Sequence, residues 1–518
     1  MNEPSPLVQH YAAVLRFYLF TLQGQQQVQH WMPTLCVGAA LFVLLAVLLR
    51  GLRPTPRHRG QYVRGTRLVT ARWGWLKRGF RSPKKLVIGG VGWPRKLEPL
   101  NLLLSGAPNT GKSQTIQGMI DTMGGRGDRA IVTDVGGEAM SRFWQNGDHL
   151  LNPLLKYSRD WSPFAEIESA ADTERLAKSM IPDHQASQNP EWVGYGQGLV
   201  SAALRRLWEQ REQGRATNGA LLHALTLAPP SELEALVSGL PAQALFHAGA
   251  ERMLASVRGI VGTHLAPYSH LQESAGVQSW SIRRHVREGK GWLWLPYEER
   301  HSAALRPLIA AWLGEAVNAL LSLPPDLDRR YWLLLDEVGS IGCVQGLIDA
   351  LTKGRKYGLC AILGLQSIAQ LRAAFGDDGA QTLLSCLASQ LIMRVNDPET
   401  AEYASSHLGD CEVVRESVTH GKDGETRTKQ HHVERLVLAS DIQGLKKRRG
   451  YLRLAEQNRV LRVRIPLIKR KPVIAPFTPR DPAPNKPPPS APKPSIVVRP
   501  ALDADAILGR AQVTRNEK

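Results

Sequence analysis

The segment Gly106-Ala107-Pro108-Asn109-Thr110-Gly111-Lys112-Ser113 constrains this chain more than any other stretch of it. It carries the spacing G-x-x-x-x-G-K-S, and its flanks fit. The apolar run Leu100 to Leu104 reads as a buried strand leading in, and a helical stretch leads out from Lys112. Glycines let such a loop wrap so that successive backbone N–H groups face a phosphate. The helix N-terminus adds partial positive charge. In this Walker A arrangement Lys112 reaches the β- and γ-phosphates and the Ser113 hydroxyl ligates Mg²⁺. The residues expected to hold ATP are Gly106, Asn109, Thr110, Gly111, Lys112, Ser113 and Gln114. A Gly-rich strand–helix turn that binds nothing is the alternative.

A second signal complements the first. Tyr331-Trp332-Leu333-Leu334-Leu335-Asp336-Glu337 is an apolar strand ending in two acids, the Walker B pattern. Asp336 is expected to share the Mg²⁺ with Ser113. Glu337 is expected to orient and deprotonate the attacking water, a role that hydrolysis needs and nucleotide binding alone does not. An acidic strand end that simply faces solvent is the competing reading.

With 518 residues the chain exceeds a single core, so two or three domains and tails are expected. Its formal charge of +19 is concentrated. Between Arg50 and Lys96 there are fourteen Lys and Arg and no acid, which leaves only +5 for everything else. This basic run follows the uncharged segment Pro33 to Leu49, long enough to cross a bilayer as a short helix. Trp31 before it and Arg50, Arg53, Arg57 and Arg59 after it are interface anchors, and the positive-inside rule then places the rest of the chain in the cytoplasm. Residues Leu7 to Leu22 are apolar and aromatic but carry His10 and Arg16. They fit either a first membrane helix or an amphipathic helix on the surface. Residues 51–84 read as a basic juxtamembrane segment attracted to anionic lipid, with a nucleic-acid contact as the second possibility.

Five scattered cysteines without C-x-x-C spacing fit a reduced compartment and give no disulfide framework or zinc site. His431-His432 lies in a strand-like stretch and reads as surface rather than metal ligand.

Strands alternate with helices along much of the chain, which predicts an α/β fold. Strands are expected at Lys85 to Val91, Leu100 to Leu104, Arg129 to Asp134, Gly291 to Leu295 and Leu359 to Leu365. A long helix is expected near Ala303 to Leu321, and another at Leu347 to Lys356. Between about Ala170 and Ser279 strand signals vanish and apolar residues recur at three and four, predicting an inserted all-α lobe. The expected divisions are an anchor over 1–50, a nucleotide-binding domain over 85–169 and 280–470, the helical insert over 170–279, and a tail over 471–518. Glu412 to Thr419 and Thr426 to Leu438 predict a hairpin. Proline dominates from Pro472 to Pro500, so that tail is expected to be extended or disordered.

Gln366, at the end of the strand after Walker B, fits the γ-phosphate sensor of ring-forming P-loop motors of the RecA type. Arg355, just before that strand, is the candidate arginine finger for a neighbouring subunit's nucleotide. A helix-end cation favoured by the dipole is the alternative for Arg355, and a strand-end polar cap for Gln366.

In these residues the chain resembles the coupling proteins of type IV secretion and bacterial conjugation, of the TraD-like kind. The resemblance rests on the Walker A segment, on Asp336-Glu337-Val338-Gly339-Ser340-Ile341-Gly342, on Gly354-Arg355-Lys356-Tyr357-Gly358-Leu359, and on Gln366-Ser367 with Ala369-Gln370-Leu371. Asp134 with Gly137-Glu138, Pro190-Glu191-Trp192 and Asn396-Asp397-Pro398-Glu399-Thr400-Ala401-Glu402 are also similar. It spans roughly residues 30 to 470. It departs from the family in carrying Val338 where phenylalanine is common. The resemblance implies an inner-membrane, ATP-driven motor with a RecA-like domain, an all-α insert and an N-terminal transmembrane anchor. It implies a homo-hexameric ring that takes relaxase-bound single-stranded DNA to a secretion channel, with Arg355 and Gln366 as trans finger and sensor. A chromosome-DNA pump, a protein-secretion ATPase and a non-motor docking receptor remain as alternatives.

Overall fold

A computed structural model describes residues 61–70, 85–183, 190–421 and 424–480. Both expected membrane segments, Leu7 to Leu22 and Pro33 to Leu49, lie outside the described residues, as does the chain beyond 480. Among the described residues one helix, Glu299–Leu321, is long and apolar enough to cross a membrane, and most of it is buried in the protein core.

The architecture is set by strands that are apolar on both faces. Tyr331–Leu335 and Leu359–Leu365 are buried at every position, which suits a parallel sheet covered on both sides. They belong to a ten-stranded sheet. Its order is Arg67–Thr70, Arg459–Arg464, Arg449–Arg453, Ser389–Ile392, Leu102–Ser105, Leu359–Leu365, Tyr331–Leu335, Arg129–Val135, Leu293–Tyr297 and His149–Leu150. From Ser389–Ile392 to His149–Leu150 every neighbouring pair is parallel. The strand carrying Gln366 therefore lies between the strand leading into the phosphate loop and the Walker B strand. All three deliver their C-terminal ends to one edge.

Side chains alternate across the sheet as the pleat requires. Leu103, Ile131, Leu333, Leu335, Ala361 and Leu363 enter one core, and Leu102, Leu104, Val132, Leu334, Trp332 and Ile362 enter the other. The second core lies under the helix Lys112–Gly125 that follows the phosphate loop. The first is continuous with the interior of the helical stretch. Leu176, Leu199, Leu204, Val257 and Val261 share it with the central helix Ser302–Leu321. Helices Asp172–Met180, Pro190–Glu209, Pro230–Val237 and Glu251–Leu265 build that stretch. It is fused to the sheet through one hydrophobic interior rather than set apart from it.

Three sequence expectations are corrected. Residues 61–70, expected within a juxtamembrane basic run, form two strands. Gln61–Gly65 pairs with the hairpin strand Asp410–Gly421, and Arg67–Thr70 forms an edge of the large sheet beside Arg459–Arg464. Arg64 pairs with Glu412, and the Thr66 N–H donates to Asp410 O at 2.9 Å, so partners distant in sequence override the local charge signal. The strand expected over Lys85 to Val91 is reduced to Val87–Ile88 and Val91–Gly92, a miniature hairpin turning at Gly89 and Gly90 with φ 56° and 91°. The tail expected to be extended or disordered from 471 is instead packed against the body as a strap as far as residue 479. There the Val473 N–H donates to Ser141 O at 2.7 Å and the Lys156 N–H to Thr478 O at 2.9 Å. Ile474 and Phe477 rest on the second core. Prolines remove backbone donors but leave apolar side chains free to pack.

Candidate nucleotide site

The phosphate loop is tight because two of its residues adopt left-handed conformations. Gly111 has φ 122°, open to glycine, and Asn109 has φ 59°, which asparagine tolerates better than most residues. Thr110 Oγ1 donates to Ala107 O at 2.7 Å and closes the turn from within. Lys112 opens the helix with only 7 % of its surface exposed, and its Nζ donates to Gly106 O at 2.6 Å. Burial lowers its pKa from the ordinary lysine value, against the pull of the Glu337 and Asp336 carboxylates.

Ser113 and Asp336 lie 223 residues apart in sequence, yet Ser113 Oγ donates to Asp336 Oδ2 at 2.7 Å. The register explains this. Leu335 pairs with Leu363, and Leu365 with Ser105, so three strand ends converge. A Cβ on Gly364 would lie 1.8 Å from Asp336 O, so glycine is what allows the middle strand to approach the Walker B backbone. Glu337 follows, and Gln366 Nε2 donates to its Oε2.

The acids are held in an unusual state. Asp336 Oδ1 and Glu337 Oε1 are buried without a hydrogen-bond partner. Burial raises the pKa of Asp336 and pushes that of Glu337 up to about 7. Asp134, at the end of the neighbouring strand, is also pushed up to about 7 by burial, although its Oδ2 accepts the Met140 N–H at 2.6 Å. Buried carboxylate oxygens without partners are costly. A divalent cation at this edge would meet the unpartnered Asp336 oxygen beside the Ser113 hydroxyl, so the donor set fits Mg²⁺.

Two of the expected residues are placed differently from this cluster. Gln114 is turned outward: its Oε1 accepts the Ile468 N–H at 2.8 Å, so its side chain ties the strap to the loop helix. Arg355 is exposed in the short helical turn Gly354–Tyr357, before the strand Leu359–Leu365. That places it at the opposite end of the strand from Gln366, on the order of 20 Å away. It cannot serve the nucleotide of its own chain. Asp134 stood out in the sequence only as a strand-end acid, and nothing local signals that its strand would lie beside Walker B. His431 and His432 lie in the exposed hairpin, His431 Nδ1 sits 2.8 Å from Glu412 Oε1, and no cluster of metal-ligating side chains occurs among the described residues.

A P-loop at the C-terminal edge of a parallel sheet, two acids on the next strand but one and an amide side chain between them define a nucleotide-binding α/β protein of the coupling-protein fold. Residues 85–466 match the family described as the type IV secretion-system coupling protein DNA-binding domain, and the chain belongs to that family. The solved structure of the bacterial conjugative coupling protein TrwBdeltaN70 is 33 % identical, with a TM-score of 0.73 over 80 % of this chain and 96 % of that one. Structures of TrwB with the ATP analogue ADPNP and with ADP and Mg²⁺ are each 32 % identical, with TM-scores of 0.72 and 0.71. They cover 81 % and 80 % of this chain and 98 % and 96 % of theirs. Coupling protein TraD of Escherichia coli K12 is 27 % identical over 76 % of this chain and 56 % of its own length. Protein VirD4 of Agrobacterium fabrum is 23 % identical over 62 % and 49 %. The chain thus spans about half the length of these curated relatives.

Proposed function

We propose that this protein is a membrane-anchored, ATP-driven DNA translocase: a coupling protein that delivers relaxase-bound single-stranded DNA to a type IV secretion channel. The observation that carries the hydrolytic part is the convergence of Lys112, Ser113, Asp336, Glu337 and Gln366 on one sheet edge, with buried Asp336 and Glu337 oxygens left unpartnered. Family membership and the nucleotide-bound TrwB structures support ATP and Mg²⁺ as its ligands.

In this reading Lys112 gives up its contact with Gly106 O to hold the β- and γ-phosphates. Ser113 and Asp336 hold Mg²⁺, which neutralises charge on the phosphates when bound. Glu337 takes the proton of the attacking water, and its pKa near 7 suits that task at neutral pH. Gln366 holds the Glu337 carboxylate and reports the γ-phosphate. Arg355, remote from its own site, serves the next subunit of a hexameric ring. The basic and polar loops of that ring would drag the DNA backbone without reading sequence.

The test is the ATPase rate of full-length protein in detergent, with and without single-stranded DNA, across protein concentration. DNA stimulation that steepens with concentration supports a ring motor. A rate indifferent to DNA in assembled protein removes DNA as the cargo and favours the docking receptor or a protein-secretion ATPase.

A further inference from the structure

The turn between the helix Ala439–Gln443 and the strand Arg449–Arg453 carries four consecutive cations, Lys446-Lys447-Arg448-Arg449. Among the described residues none of the four forms an ion pair, and Lys446, Lys447 and Arg449 are exposed. Such a run raises the local potential for anions. Its position is what matters. The Arg448 N–H donates to Thr110 O at 2.9 Å, and Arg448 O accepts the Ile465 N–H at 2.8 Å. The turn is therefore bonded directly to the phosphate loop.

Arg448 also has φ 59°, a left-handed conformation that a long side chain rarely adopts. Such conformations persist where surrounding structure imposes them and concentrate at ligand sites. Here the imposed conformation sets the root of the side chain against the loop: a methyl group placed on Gly111 would lie 3.5 Å from Arg448 Cγ and 3.7 Å from its Cα. Lys112 folds over the first residues of the loop, Gly106 and Ala107, while Arg448 covers the last, Thr110 and Gly111. The two cationic residues are thus anchored at the two ends of the loop.

We propose that Arg448 is a second phosphate-binding cation, whose guanidinium grips the bound nucleoside di- or triphosphate of its own chain from the side of the loop that Lys112 does not cover. This deepens the nucleotide-binding reading above and rests on it. A guanidinium offers a planar fork that fits phosphate oxygens in pairs, which an ammonium cannot match. Because the contact is made in cis on phosphates common to both nucleotides, it binds ADP as well as ATP and is indifferent to ring assembly.

The experiment is calorimetric titration of full-length protein in detergent with ADP–Mg²⁺ and with ATP–Mg²⁺. It compares wild type, Arg448→Gly, Arg448→Lys and Lys112→Ala. Glycine keeps the left-handed backbone and its bond to Thr110 while removing the side chain, and lysine keeps the carbons that lie against Gly111. Melting of each variant without nucleotide verifies that the fold is intact, and Arg448→Asn is the substitute should glycine loosen the turn. The expected result is that Arg448→Gly weakens both ADP and ATP about tenfold, the loss of one charge-assisted contact, with lysine recovering part of it. Unchanged affinity for both nucleotides in a folded glycine variant overturns the proposal and leaves Arg448 a backbone brace. Unchanged ADP binding with slower hydrolysis at high protein concentration also overturns it, assigning Arg448 to a neighbour's site. Failure of wild type to bind either nucleotide would instead sink the nucleotide-binding reading on which the proposal stands.

Discussion

The two ends of the parallel strands are built on opposite principles. At the N-terminal ends, the deeply buried charges Glu98, Asp128, Arg126 and Arg330 are satisfied by one another. Arg126 Nη1 meets Glu98 Oε1 at 2.7 Å, Arg330 Nε meets Glu98 Oε2 at 3.1 Å, and Trp332 Nε1 donates to Asp128 Oδ2 at 2.9 Å. At the C-terminal ends, Asp134, Asp336 and Glu337 crowd together, and Lys112 is the cation acting on both Walker B acids. Two of their oxygens have no partner. A closed network stabilises and does no chemistry. An unbalanced one is destabilised until a ligand completes it, which is the condition for tight, informative binding. The same sheet thus separates support from function along the strand direction.

Arg355 is the sharpest test of that separation, because it is a cation at the closed end assigned to a partner's open end. Arg355→Ala should lower the ATPase rate of the assembled protein by about 10³-fold or more, leaving nucleotide affinity unchanged. Mixing it with inactive Lys112→Ala protein should recover activity, since each variant supplies what the other lacks. No recovery on mixing would break the trans assignment. Glu337→Gln should lower turnover by about 10²- to 10⁴-fold while ADP binds as in wild type. Retained turnover would mean that another group handles the water.

Breaking the closed end should act on stability instead. Glu98→Ala leaves two buried guanidinium groups short of a partner and should cost about 3–5 kcal/mol, read by denaturant unfolding, with nucleotide affinity in the folded fraction unaltered. A loss of affinity at full folding would show that the two ends are coupled. The smallest effect is a pH slope. Asp134 and Glu337 are pushed up to about 7 from ordinary values of 3.8 and 4.5. The folded nucleotide-free protein therefore keeps protons that the unfolded chain has already released. Stability from these groups is greatest below about pH 4 and is lost as pH rises to about 7, with a slope of at most about 1.4 kcal/mol per pH unit for each group. Melting followed from pH 5 to 8 should fall accordingly, and less steeply in Asp134→Asn. Equal slopes in the two proteins would remove Asp134 from the account.

Much of this was legible in the sequence because it is locally encoded. The phosphate loop depends on glycine and asparagine tolerating left-handed backbone, and the strands on runs such as Tyr331-Trp332-Leu333-Leu334-Leu335. The hairpin expected around residues 420–425 occurs as Asp410–Gly421 paired with Gly424–Arg435. What the sequence misread has a common cause. The basic run at 61–70 reads by composition as juxtamembrane and the proline-rich stretch from 471 as extended or disordered, yet each finds a partner far away in the chain: the hairpin and sheet edge for one, Ser141 and Lys156 for the other. Gln114 reads as a nucleotide ligand by its place beside Lys112-Ser113, and the structure adds a second task that the sequence did not signal, its side chain holding the Ile468 N–H.

By itself, then, the sequence determined the conformation of the phosphate loop, the apolar strands and their helical complements. Each follows from steric preference and side-chain periodicity within a few residues. Only the tertiary structure decided that Ser113 meets Asp336, that Asp134 lies beside them, that Arg448 covers Gly111 and that Arg355 faces away. Those juxtapositions depend on strand order and register. These are chosen by the burial of two whole cores, and no short stretch of chain contains that information.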